Sequence, residues 1–160
     1  MKINTLRTVL ILSSSLLFTS VSMAGFDITR MTTVVDDLSG SYTINKSGRM
    51  NEGAFAGTSL TEFHQFHPNK DDNDVTIDGV ISKQVDLDAG QYSTLSNGSF
   101  TLESVDDSWG VSFTGLIVEA GETGVKLTGS VVVNDESFEA SQLPVVVAKI
   151  LRRIFWLTRR

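Results

Sequence analysis

His64 and His67 are the only histidines in the chain, and they bracket Gln65-Phe66. Imidazole is suited both to proton transfer near neutral pH and to binding a metal. On one continuous strand an i, i+3 pair points to opposite faces, which is poor geometry for chelation. Glu62 shares the face of His64, but the geometry zinc needs is missing, and a solvated strand end is the simpler reading. Many Ser and Asp residues could meet either histidine in space as a Ser-His-Asp device. No Gly-x-Ser-x-Gly elbow occurs to support one. A small secreted hydrolase using His64 or His67 therefore stands as an alternative only.

Oxygen ligands are concentrated in Asn69-Lys-Asp71-Asp72-Asn-Asp74, followed by Asp78. Ca²⁺ binds six to eight oxygens, which makes Asp71, Asp72, Asp74 and Asp78 candidate ligands. The segment lacks the EF-hand order, with no Gly at the sixth position and no Glu at the twelfth. Asp and Asn clusters are also ordinary turn chemistry. The acid pairs Asp36-Asp37 and Asp106-Asp107 sit in predicted turns as well. There is no cysteine, which excludes thiol catalysis, thiolate metal sites and a lipid-modified cysteine.

Charge is divided unevenly. Residues 25–148 hold 19 acidic and 6 basic residues, a net of −13, whereas 149–160 hold five basic residues and no acid. An acidic body argues against nucleic-acid binding, which needs a basic footprint. The basic segment follows Pro144, which suits a helix start, and Val145–Arg160 reads as a cationic amphipathic helix. At 100° per residue, Arg152, Arg153, Arg159 and Arg160 fall within about 60–80° of Lys149, with Trp156 inside that arc. Val147, Ile150, Leu151, Ile154, Phe155 and Leu157 lie opposite. Such a helix either covers an open face of the protein body or attaches to an anionic membrane surface or a protein partner. In the second case Lys149, Arg152, Arg153, Phe155, Trp156, Arg159 and Arg160 make the contact.

The elements that must carry these residues follow from pattern. Lys2 and Arg7, then an apolar and hydroxyl run over Val9–Val21, then Val21-Ser-Met-Ala24 have the layout of a cleaved signal peptide over 1–24. The run is too short and too broken by serine for a spanning helix, which needs about 20 apolar residues. Export is thus expected, to the periplasm or outside the cell, with Gly25 the first mature residue. Residues 25–143 read as one β domain and 144–160 as the helix.

Thr, Val, Ile, Phe and Tyr alternate with polar residues over Asp27–Val35, Leu38–Asn45, Gly53–Phe66, Val75–Val85, Gly98–Val105, Trp109–Glu119 and Val125–Val133. A return strand is expected around Ser137–Ala140, and turns are signalled at Lys46-Ser-Gly48, Asp88-Ala-Gly90 and elsewhere. The fold class is all-β: an antiparallel meander of about 7–8 strands closing into a small barrel or sandwich, with one C-terminal helix. Glycine recurs inside the strands, at Gly40, Gly57, Gly79, Gly115 and Gly129, each two residues after an apolar one. A mid-strand Gly costs roughly 0.5–1 kcal/mol relative to Ala, so the recurrence predicts strong coiling or close approach of strands. An eight-stranded outer-membrane barrel is a further alternative, but the strands lack its apolar band and aromatic girdles. With no cofactor motif, the residues favour a non-enzymatic envelope protein that binds a ligand or plays a structural part.

Overall fold

The structure, a computed structural model, describes residues 25–51, 54–68, 75–88, 91–121 and 124–158. The expected signal peptide lies outside them. Nine strands follow in chain order: β1 (Phe26–Val35), β2 (Ser41–Asn51), β3 (Ala54–Phe66), β4 (Thr76–Asp88), β5 (Gln91–Glu103), β6 (Ser108–Gly121), β7 (Gly124–Thr128), β8 (Ser130–Val133) and β9 (Glu136–Glu139). The helix α1 spans Val145–Leu157. Each strand from β1 to β6 pairs antiparallel with the next, β7 and β8 both pair with β6, and β9 pairs with β8.

The antiparallel meander and its single C-terminal helix are as the sequence implies. Closure is not. The nine strands form one sheet that remains open, so it is neither a barrel nor a two-sheet sandwich. The expected turn at Lys46-Ser-Gly48 is instead the middle of β2, paired on both sides. Weakly apolar stretches such as these are held in strands by neighbouring ladders rather than by their own propensity. The same reason extends β5 back to Gln91.

Glycine and irregular backbone shape the sheet. In β6 one extra residue is accommodated near Gly115, whose φ is +69°, and its N–H is accepted by Asn97 Oδ1 at 2.8 Å. Gly129, at φ +121°, separates β7 from β8 opposite that bulge, so the single strand expected over Val125–Val133 is broken there. Bulges of this kind bend a sheet and increase its twist. Gly48 and Gly57 face each other across β2 and β3, where a Cβ on Gly57 would stand 2.7 Å from the Gly48 Cα. These positions support the reading of the recurrent glycine as geometry.

One face of the curved sheet holds the core. Phe63, Ile77, Ile81, Leu102, Val111, Phe113, Leu116 and Val118 line it, and α1 lies against them through Val147, Ala148, Ile150, Leu151, Ile154 and Phe155. The Phe155 ring stands 6.0 Å from that of Phe113. Of the two roles open to the helix, covering the body is the one observed. Its apolar side is core, and Val145, Val146, Lys149 and Arg152 are exposed.

Candidate functional site

The helix does not cover the whole face. Its C-terminal end meets the sheet near β1 and β2, and two adjoining cavities open there. One, of about 360 Å³, is lined by Arg30, Thr32, Val34, Tyr42, Ile44, Lys46, Trp156 and Leu157. The other, of about 240 Å³, is lined by Val34 to Leu38, Tyr42, Phe66, His67, Pro68, Arg153 and Leu157. Val34, Tyr42 and Leu157 belong to both, which makes them one groove with a waist. Period-2 alternation explains the wall. Arg30, Thr32 and Val34 of β1 pair with Lys46, Ile44 and Tyr42 of β2, so all six share the core-side face.

At the narrow end, Asp36 organises the loop between β1 and β2. Its Oδ1 accepts the N–H groups of Leu38 at 2.9 Å and Gly40 at 2.8 Å. Its Oδ2 accepts the His67 N–H at 2.8 Å and lies 2.9 Å from His67 Nδ1. Burial pushes this carboxyl up, but the hydrogen bonds from His67, Leu38 and Gly40 outweigh it and leave it below its ordinary value. An Asp-His pair is also part of a nucleophilic triad, which needs a hydroxyl or thiol beside the imidazole. Among the described residues no Ser, Thr or Cys lines this cavity, and the one hydroxyl there is that of Tyr42. The pair acts here as a clasp between the β1–β2 loop and the end of β3. Arg153 closes the same corner by donating to the Pro68 carbonyl at 3.1 Å.

At the wide end the face is cationic. Following the register across the sheet from β1 to β5, Arg30 pairs with Lys46, Lys46 with Ser59, Ser59 with Lys83 and Lys83 with Ser96. Lys83 is 2% exposed. Its Nζ donates to the Thr158 carbonyl at 3.2 Å and to Thr158 Oγ1, and it stands 5.1 Å from the centre of the Phe155 ring. A cation is thereby placed on the carbonyl end of α1, where the helix dipole favours it. Burial, and then the charge of Lys46, hold the Lys83 amine down at about 7. Burial, and then Arg30, lower Lys46 in the same direction. Ser59 Oγ and Thr61 Oγ1 are buried and have no hydrogen-bond partner among the described residues.

The residues singled out by sequence are dispersed. Asp71, Asp72, Asp74, Arg159 and Arg160 lie outside the described residues. Asp78 accepts the Gln65 N–H at 2.9 Å and so pins a bulge in β3, where Gln65 has φ +46°. That bulge changes the histidine pair: His64 is exposed while His67 turns to Asp36. Among the described residues no group of three or more His, Cys, Asp or Glu side chains is placed to hold a metal. Phe155, expected at a membrane or partner surface, is instead in the core at 2% exposure. The wheel puts it at the border of the apolar arc, and the sheet takes it. Trp156 and Arg153 line the groove, while Lys149 and Arg152 face solvent.

Sequence reasoning missed Arg30, Lys46 and Lys83 altogether. They are scattered singly through three strands, and only the register aligns them. Comparison of the chain with protein-family models, with curated proteins and with solved structures found no match.

Proposed function

We propose that the protein is an exported, non-enzymatic binding protein that holds a small ligand in the groove between β1–β2 and the end of α1. The observation that carries this reading is the pair of joined cavities, about 240 and 360 Å³, with apolar walls and a few convergent polar groups. Ligand sites have that make-up and that size. The groove ends on a tied loop rather than on a nucleophile, which favours binding over turnover. The apolar side of α1 is engaged with the sheet, which favours a docked helix over a membrane anchor. Export rests on the arrangement of residues 1–24.

The test uses the uncharged probe N-phenyl-1-naphthylamine, whose fluorescence rises in apolar surroundings. Purified protein should enhance it saturably, and Thr32→Trp, which fills the wider cavity, should weaken that response at least tenfold. Absence of enhancement, or an unchanged response in Thr32→Trp, sinks the groove as the binding site. Export is tested separately by sequencing the N-terminus of protein recovered outside the cytoplasm, which should begin at Gly25.

A further inference from the structure

We propose that β1 is the interface for a second copy of this chain, the two β1 strands pairing antiparallel about a two-fold axis at Met31. The inference starts from the two edges of the open sheet, β1 and β9. β9 is four residues long and carries Glu136 and Glu139 at its ends. Short length and charge are the usual protection of an edge against pairing. β1 has neither. Its ten residues pair with β2 from Phe26 to Val35 without a register shift, and no Pro or Lys interrupts them. On its other side no strand pairs with it among the described residues. Phe26, Met31 and Val35 are 58%, 70% and 65% exposed.

Charge selects the occupant. Residues 25–148 hold 19 acidic and 6 basic residues, so two copies repel over most of their surface. β1 contains one Asp and one Arg and is neutral, which makes it the stretch where two acidic bodies can meet. Pairing of β1 with β9 of another copy would leave most of β1 bare, and such a head-to-tail contact does not close. Self-pairing is isologous. It consumes both β1 edges and leaves only the two guarded β9 edges.

The register follows from the faces. A two-fold axis normal to the sheet keeps each face on its own side, so residues opposite one another share a face. An axis at Arg30 would set two guanidiniums opposite each other, and like charges there are destabilising. An axis at Thr29 would pair only residues 26–32 and set Arg30 against Ile28. An axis at Met31 pairs residues 27–35, about 30 Å of strand. It sets Ile28 against Val34, Thr29 against Thr33 and Arg30 against Thr32. Arg30 of the second copy then adjoins Thr32 in the wall of the wider cavity, so each groove is bordered by both copies whatever it binds. A single strand pair is a small contact of the weak, transient class, so association belongs at roughly tens of micromolar. In dilute protein β1 is open.

Sedimentation equilibrium of purified protein from 1 to 300 µM should show the mass rising from one chain to two and no further. Met31→Lys, which sets two ammonium groups on the axis, should weaken association at least tenfold while leaving the circular dichroism of the monomer unchanged. Single cysteines read the register, since the chain has none of its own. At 100 µM, Met31→Cys should form a disulfide-linked dimer at least tenfold faster than Val105→Cys, which is 81% exposed and lies between β5 and β6. Thr29→Cys mixed with Thr33→Cys should link faster than either alone. Should Met31→Lys fail to fold, the cysteine rates decide. A single chain at 300 µM, growth beyond the dimer, unchanged association in a folded Met31→Lys, or equal linking of Met31→Cys and Val105→Cys overturns the proposal.

Discussion

The two halves of the sheet answer to different demands. From β4 to β8 the core-side residues are covered by α1 and nearly all buried: Ile77, Ile81, Leu102, Leu116 and Val131 have no exposure at all. At β1 every residue is exposed or half-exposed, and Phe26, Met31 and Val35 lie more than half open. The same alternating pattern thus gives a core in one half and a surface in the other. What differs is the helix, which is 13 residues long. At 1.5 Å per residue it spans about 20 Å, whereas six strands at about 4.8 Å spacing are wider. The uncovered remainder is where the groove forms. The groove lies where the end of α1, at Trp156 and Leu157, meets β1 and β2.

Truncation in the covered half should have the largest effect. Phe155→Ala removes a ring that packs on Phe113 and carries Lys83 above it. It should lower the unfolding free energy by about 3–5 kcal/mol in urea titrations. A loss under 1 kcal/mol would mean that the helix is not a core element.

The next effect concerns pH. The Lys83 amine is held at about 7 in the folded protein by burial and Lys46, below its ordinary 10.5. Between those values the unfolded chain binds the extra proton, so stability rises with pH through this window and is lost as pH falls towards 7. Lys46 shifts in the same direction and adds to the slope. From pH 6 to 9.5 the gain should be about 3 kcal/mol at 1.36 kcal/mol per unit. Lys83→Met should flatten most of it, and a falling curve would contradict the burial.

At the boundary of the halves, Asp36→Ala leaves the N–H groups of Leu38, Gly40 and His67 without their acceptor. About 2 kcal/mol should be lost, since hydrogen bonds to a charged group are worth roughly 1.5–3 kcal/mol. Hydrogen exchange should quicken at those amides first. The smallest effect belongs to the uncovered half. Met31→Thr, at a residue 70% exposed, should change stability by no more than about 0.5 kcal/mol. A cost comparable to that of Phe155→Ala would show that β1 is covered in solution and would remove the contrast.

These residues also separate what could be read from the chain from what could not. Alternation over Asp27–Val35 or Trp109–Glu119, and the 3.6-residue period after Pro144, are local signals, and the elements stand where those signals put them. Lys46-Ser-Gly48 misled because turn chemistry is local while the ladders on both sides of β2 are not. The single most useful local sign of function, the two histidines, led away from the site. A bulge at Gln65, invisible in composition, turned one to solvent and the other to Asp36.

By itself, then, the sequence determined the class of fold, the antiparallel order, the amphipathic helix and the divided charge, because each depends on neighbours within a few residues. Tertiary structure decided that the sheet stays open, that the helix lies on it, and that Arg30, Lys46 and Lys83 stand in one row beside two unpartnered hydroxyls. The physical reason is range. A strand's alternation states which residues share a face, but only the pairing between strands states which of them meet.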